Sequence, residues 1–517
     1  MRKHKADGRV PVLASLAYGS GDMSFTFGTA ITGFYLLIFL TNVVGLRGYM
    51  ASAIIFIGFL WDAVTDPIVG YYSDKIKSGI GKRRKLMLLA AVPLGISFFA
   101  IFGISTLIAE LRPEMLGLAA DKLLPVQLLK TLLVLVIYLL FYLCYTLAYI
   151  PYISLINDMT TIYRERTKLT GYRMVATIIA TIVAVAVPDL IMGDVTITHS
   201  GEKFVLIAAV FGVLIVLILL ATVLGTYELP AVKEIRRGKF SLKRDFLDCF
   251  REQEFKKAAL AFMFSLSAIF VLQDTIQYYV NYWLLSPELF LPLAGSVLVL
   301  GFLTVPVWVL VSNRIGKRKT LFLGVGCWVV AFTMFFFLPQ LPHAGIMIDF
   351  QSEIYVQPLG MAAAIASFPA WGWLAVLILG LGMGNIHLVA YGMYPDTISV
   401  IVAKRPDEEG SFFGAVSFLQ KVGIGFATLL IGPILDLAGY TAKPDPFWFQ
   451  ALAASGLTVE SNYLYLQPAS QAPLAIKIVF CFLPIALMIM AALSVRKYTT
   501  DSLLNRESST HRKENPA

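Results

Sequence analysis

The stretch Met50–Tyr72 reads MASAIIFIGFLWDAVTDPIVGYY, an apolar run broken by Asp62 and Asp66. Four residues apart on a helix, the two carboxylates share one face, about 5–6 Å apart at Cβ. Like charges so placed repel, and inside a bilayer each is also costly to ionise. The pair is tolerable if a proton is shared, a cation is bound, or a basic side chain stands opposite; otherwise the acids must reach water from the helix end. Asp62 stands twelve residues after Met50, about 18 Å along a helix axis, which is deep for a short side chain. The stretch is therefore read as a membrane span carrying a cation or proton site.

Composition agrees with a membrane setting. Of 517 residues, 58% are hydrophobic and 15% charged, with mean hydropathy +0.75, which a water-soluble domain does not carry. The net charge of +9 is distributed by side rather than in a patch. Segment 74–85 holds six Lys/Arg and 228–257 holds nine, whereas 285–289 and 341–369 hold none. That alternation places the basic loops in the cytoplasm and excludes nucleic acid as a partner. The first span is too long for a cleaved signal peptide. Cys144, Cys327 and Cys481 fall within spans and Cys249 in the central basic segment, so no structural disulfide is expected.

Twelve apolar spans follow, at about 15–45, 50–73, 85–107, 125–153, 168–190, 203–227, 257–285, 290–313, 319–340, 370–395, 411–438 and 472–495. The expected organisation is an N-terminal six-helix bundle (1–227), a basic cytoplasmic linker (228–256), a C-terminal six-helix bundle (257–495) and a cytoplasmic tail (496–517). An even number of spans puts both termini in the cytoplasm. The outer connectors 108–124, 341–369 and 441–471 are long, and 443–470 is rich in Pro and aromatics, as a partial cover over the outer mouth or as an elaborated loop.

The halves echo each other. Gly70-Tyr-Tyr-Ser-Asp74-Lys75 leads to Gly81-Lys82-Arg83-Arg84-Lys85, and Val309-Leu-Val-Ser-Asn313-Arg314 leads to Gly316-Lys317-Arg318-Lys319. Equivalent positions in each half indicate a repeat. The pattern resembles the signature cytoplasmic loop of the major facilitator superfamily, with Asn313 replacing the acid in the second copy. The fold class expected is thus an all-α membrane protein of twelve transmembrane helices in two six-helix bundles.

Further polar residues lie at depth. Span 4 ends in Tyr145-Thr146-Leu147-Ala148-Tyr149-Ile150-Pro151, where Thr146 and Tyr149 share a face; an intramembrane threonine commonly bonds its own helix instead. Arg173 lies one to two turns into span 5 and Lys421 about ten residues into span 11. Lys421 needs a carboxylate, water or neutralisation, and Asp62 and Asp66 are its natural partners; Arg173 can also snorkel to water. Asp274 and Gln277 form a polar patch in span 7, and His387 lies deep in span 10. Tyr278, Tyr279, Tyr282 and Trp283 read as an aromatic belt at the outer interface. No phosphate-binding loop, metal-ligand spacing or nucleophile–base motif occurs, so neither an ATP-driven pump nor an enzyme is expected.

The run Trp61-Asp62-Ala63-Val64-Thr65-Asp66-Pro67-Ile68-Val69-Gly70 resembles the span-2 motif of the glycoside–pentoside–hexuronide:cation symporters, to which the melibiose permease belongs. Tyr18-Gly19-Ser20-Gly21, Thr41-Asn42-Val43-Val44-Gly45-Leu46, Gly79-Ile80-Gly81-Lys82-Arg83-Arg84, Tyr172-Arg173, Asp396 and Lys421-Val422-Gly423 agree in order. The resemblance implies that Asp62, Asp66 and Thr146 bind the coupling cation, and that Arg173 and Lys421 are functional basic residues. It also marks departures: Thr26 and Tyr149 stand where the melibiose permease has aspartates for its sugar. The cation half of the machinery is kept and the substrate half rebuilt. Animal sodium-dependent lysolipid symporters share the same polar set.

The reading is a secondary active symporter, Na⁺ preferred and H⁺ possible, with Asp62, Asp66 and Thr146 as the Na⁺ ligands. Oxygen-rich sites of this kind suit a hard cation. A small organic solute, a sugar or glycoside, would meet Thr26, Tyr149, Arg173, Asp274, Gln277, His387 and Lys421. The alternatives are a Na⁺-coupled lysolipid symporter and a non-transporting receptor or scaffold. No cofactor beyond the coupling ion is expected. The protein is expected to act as a monomer among membrane lipids, in the plasma membrane or a bacterial inner membrane.

Overall fold

The computed structural model describes residues 10–73, 80–116, 123–160, 162–192, 201–226, 248–343, 345–348, 354–357, 359–402, 409–440, 464–465 and 471–500. Asp74 and Lys75 of the first basic loop, the basic residues before Val10, positions 227–247 of the linker, 441–463 of the last outer connector and the tail from 501 lie outside the described residues.

Twelve helices are long and apolar enough to cross a membrane: α1 (Val12–Asn42), α2 (Gly48–Ser73), α3 (Lys82–Ala109), α4 (Leu123–Met159), α5 (Tyr163–Met192), α6 (Gly201–Gly225), α7 (Gln253–Trp283), α8 (Phe290–Ile315), α9 (Lys317–Phe337), α10 (Ala370–Val402), α11 (Glu409–Leu437) and α12 (Ala472–Ser494). They match the expected spans one for one, and α4, α5 and α10 run beyond their apolar cores. Large apolar side chains point outward from them, such as Leu224 (73% exposed), Leu303 (68%) and Leu437 (89%), as an acyl-chain solvent requires.

The described helices group as two compact units, α1–α6 and α7–α12. Their internal packing follows one scheme. In the first, α3 packs on α4 and α6, α1 on α5 and α6, and α2 on α4; in the second, α9 packs on α10 and α12, α7 on α11 and α12, and α8 on α10. Adding six to each helix number of the first pattern reproduces the second, so the echo in the basic loops extends to the whole unit.

Each unit has an aromatic core. In the first, Phe102 packs on Phe39 (ring centroids 5.0 Å) and Phe204 (5.7 Å). In the second, Tyr279 stacks on Phe480 at 4.1 Å and donates its hydroxyl to Phe335 O at 2.7 Å. Tyr278, Tyr279 and Tyr282 are buried, the most open only 6% exposed. These tyrosines are core, not the interfacial belt that the sequence suggests. The reason is a π-helical turn at Tyr279–Trp283; its extra residue advances the helical phase by about 100°. A matching π turn interrupts α1 at Thr32–Leu36, where Tyr35 donates to Val185 O at 3.0 Å.

The basic loops close with the same geometry. Gly81 (φ 94°, ψ 135°) precedes α3 and Gly316 (φ 83°, ψ 155°) precedes α9, backbone that glycine adopts without a Cβ penalty. Two residues on, Arg83 pairs with Asp158 of α4 at 2.7 Å and also donates to Ser154 O. In the second unit Lys317 pairs with Asp396 of α10 at 2.5 Å and donates to Gly392 O at 2.9 Å. With Asn313 in place of an acid, Asp396 supplies the carboxylate for the second copy.

On the face opposite the basic loops, β1 (Gly345–Ile348) and β2 (Ile354–Gln357) form a hairpin after α9, and β3 (Leu464–Tyr465) adds to β2 antiparallel. The four cysteines are free thiols.

Candidate functional site

In the first unit, α2 brings Asp62 to α4. Thr146 Oγ1 donates to Asp62 Oδ1 at 2.7 Å, with Thr146 fully buried and Asp62 3% exposed. The threonine thus bonds across helices rather than to its own backbone, unlike Thr29, Thr32 and Thr41. Thr65 Oγ1 stands 3.4 Å from Thr146 Oγ1, and half-buried Asp66 follows one turn after Asp62 on α2. Two carboxylates and two hydroxyls therefore come from adjacent faces of α2 and α4, a hard-oxygen donor set. The helices meet closely because Gly58 has no side chain: a Cβ there would lie 2.3 Å from the Tyr138 ring.

The second polar group of this unit is one that the sequence reading did not single out. Asp22 of α1, 8% exposed, has its Oδ1 3.7 Å from Nε of Arg173 on α5, and Thr177 donates to its Oδ2. Arg173 stands ten residues into α5, deeper than the apolar pattern alone suggested, and its ion pair is with Asp22 rather than with Asp62 or Asp66. Rings surround this pair's helices. Tyr18 stacks on Tyr152 at 5.1 Å, and Phe25 meets Tyr145, Tyr149 and Tyr152 at 5.6, 5.1 and 5.0 Å. Tyr149 stacks on Tyr145 at 5.2 Å, and Thr26 is buried beside Phe25 on α1. The signal that would have found Asp22 is the one that found Asp62: an acid inside an apolar span.

The remaining sequence-derived residues fall in the second unit. Thr428 of α11 donates to Asp274 Oδ2 of α7 at 2.6 Å. Gln277 is buried one turn on, and its carbonyl accepts from Asn281 at 2.7 Å. His387 Nδ1 lies 3.0 Å from Met383 O on its own helix, and its ring stacks on Tyr391 at 6.2 Å. Lys421 is half-buried midway along α11. The predicted residues thus divide, with Asp62, Asp66, Thr146, Thr26, Tyr149 and Arg173 in one unit and Asp274, Gln277, His387 and Lys421 in the other.

Twelve spanning helices in two six-helix units built to one scheme, each locked at its basic loop, define a secondary transporter of the major facilitator superfamily. The fold agrees with solved transporters: the nucleoside transporter NupG superposes with a TM-score of 0.57 at 13% identity, covering 93% of this chain and all of that one. The chain belongs to the MFS/sugar transport protein family, whose model matches residues 17–502. Among curated relatives, the sodium-dependent lysophosphatidylcholine symporter 1 of Xenopus tropicalis is 23% identical over 95% of this chain and 87% of its own length. An uncharacterized symporter of Synechocystis sp. is 25% identical over 83% and 86% respectively.

Proposed function

We propose that this protein is a sodium-coupled symporter that carries an amphiphile of the lysophospholipid class, and that within its family it stands with the glycoside–pentoside–hexuronide:cation symporters. The observation that carries the sodium reading is the buried Thr146–Asp62 hydrogen bond, with Thr65 at 3.4 Å and Asp66 one turn on. Na⁺ would be held by Asp62, Asp66 and Thr146, with Thr65 as a further oxygen. Several oxygens in one place suit a metal cation better than a proton, which needs only one.

The substrate reading draws support from the printed name of the Xenopus relative and from the Asp22–Arg173 pair. A guanidinium matches a phosphate's oxygens, while a carboxylate flanked by tyrosine rings suits a quaternary ammonium. Together they offer opposite charges to a zwitterionic head group. Thr26, Tyr149, Gln277, His387 and Lys421 complete the proposed substrate-facing set. Cation and substrate would favour the same conformation, so that each raises affinity for the other, and the basic loops and both termini would face the cytoplasm. The setting is the plasma membrane or a bacterial inner membrane, with the monomer as the working unit.

A glycoside is the second reading. A carboxylate, a guanidinium and stacked aromatic rings also grip hydroxyls and sugar faces, and Asp22 supplies in span 1 the acid that Thr26 lacks. Uptake into proteoliposomes decides between them. A panel of lysophospholipids and glycosides is tested with Na⁺ or with choline outside at fixed pH. Lysophospholipid uptake that needs Na⁺, and is lost in Asp62→Asn and Asp66→Asn, is the expected result. Equal uptake in choline would overturn the sodium reading, and uptake of glycosides alone would replace the substrate.

A further inference from the structure

Asp274 and Thr428 form a closed pair inside the second unit. Asp274 is 4% exposed, Thr428 is fully buried, and the hydroxyl donates to Oδ2 at 2.6 Å. Among the described residues no Lys, Arg or His forms an ion pair with Asp274. The helices packed on α7 carry other charged or titratable groups, and these are placed elsewhere. Lys477 of α12 stands over the rings of Trp283 and Phe336, at 3.8 and 4.5 Å, with Cys481 one turn below it. Lys421 and Asp436 of α11 lie seven and eight residues from Thr428, about 10 Å or more along the axis. His387 of α10 has its Nδ1 on Met383 O. On α7 itself, Tyr278 follows one turn later, its ring against Tyr440 at 5.6 Å.

An ionised carboxylate withdrawn from water, with one hydroxyl donor and no cation, is heavily penalised. A metal ion is a poor remedy, because Asp274 and Thr428 present one carboxylate and one hydroxyl where a hard cation takes roughly six oxygens. A proton needs one oxygen. It also suits the threonine, whose hydroxyl can accept from the acid or donate to it.

We propose that Asp274, held by Thr428, is a proton-binding site of the second unit, distinct from the Asp62–Thr146 site and occupied in the conformation described. The proton site is independent of the sodium reading: a proton on Asp274 and a sodium ion at Asp62 stand or fall separately. Opening of the α7–α11 contact to water would release the proton, which makes transport pH-linked as well as cation-linked.

Infrared spectroscopy of the purified full-length protein near neutral pH tests this. The wild-type minus Asp274→Asn difference spectrum should contain the carbonyl stretch of a protonated carboxylic acid, moving to lower frequency in D₂O. Thr428→Val should move that same band to higher frequency by removing its hydrogen bond, while Thr428→Ser should leave it near the wild-type position. The two threonine variants read the same band if Asp274→Asn fails to fold. A difference spectrum that contains carboxylate stretches and no acid band would overturn the proposal. So would an acid region left unchanged by Thr428→Val.

Discussion

Thr146 on α4 gives its hydroxyl to Asp62 on α2 across 2.7 Å, in a place where neither residue meets solvent. A hydrogen bond to an ionised group is worth about 1.5–3 kcal/mol, and 1.4 kcal/mol is tenfold in affinity. Thr146→Val should therefore weaken apparent Na⁺ affinity by about ten- to hundredfold, and Thr146→Ser should keep it within a few-fold. Sodium titration of uptake, or of the thermal shift in detergent, measures both; wild-type affinity in Thr146→Val would remove Thr146 from the site.

Gly58 sets how close α2 comes to α4. Alanine there gains helix propensity of at most about 1 kcal/mol, but its Cβ would fall 2.3 Å from the Tyr138 ring, and overpacking costs about 1–3 kcal/mol. Gly58→Ala should lower Tm and weaken Na⁺ binding together. Adding Tyr138→Leu to the same chain should restore both, a rescue that a general loss of stability does not give.

The pair of Asp22 with Arg173 is only partly enclosed, the side chains being 11% and 28% exposed. Its coupling is accordingly set at about 1 kcal/mol, well below that of a sealed pair. In a double-mutant cycle, Asp22→Asn and Arg173→Gln should each cost stability, and the double variant should cost less than their sum. Uptake of a zwitterionic lysophospholipid should fall in each single variant. Strict additivity in Tm would show that the two groups do not interact.

The two basic-loop locks should respond alike. Arg83→Ala frees Asp158 and Lys317→Ala frees Asp396, and each half-exposed pair contributes about 1 kcal/mol or less. The exchange Lys317→Asp with Asp396→Lys should recover part of what Lys317→Asp alone loses. Thermal unfolding with tryptophan or thiol-dye readout is sufficient, and an exchange variant no better than the single would show that the lock depends on more than charge.

The fold was legible because hydrophobic length and loop charge are one-dimensional signals, and the loops at Gly81 and Gly316 repeat in order. Asp62, Asp66 and Thr146 were legible because helical spacing puts the acids on one face and a neighbouring span offers a hydroxyl. Asp22 went unremarked although it obeys the rule that exposed the other two, since attention fell on Thr26 one turn later. Arg173 was matched to the wrong acids because ion pairing between helices depends on rotation about their axes, which composition does not record. Tyr278, Tyr279 and Tyr282 turned inward for the same reason: a π turn changes phase without changing residue type. Thr428 is a single threonine in an apolar helix, and only the packing of α7 on α11 gives it a role.

The small sheet carries a mechanical consequence. Val356 on β2 pairs with Leu464 on β3, so main-chain bonds join two connectors whose sequence positions are more than a hundred residues apart, in a protein whose cysteines are all free. Nothing covalent fastens those segments, and they detach and re-form as one event. Amide exchange at β2 and β3 should then report a single opening free energy, one that reducing agents leave unchanged and denaturant alone erodes.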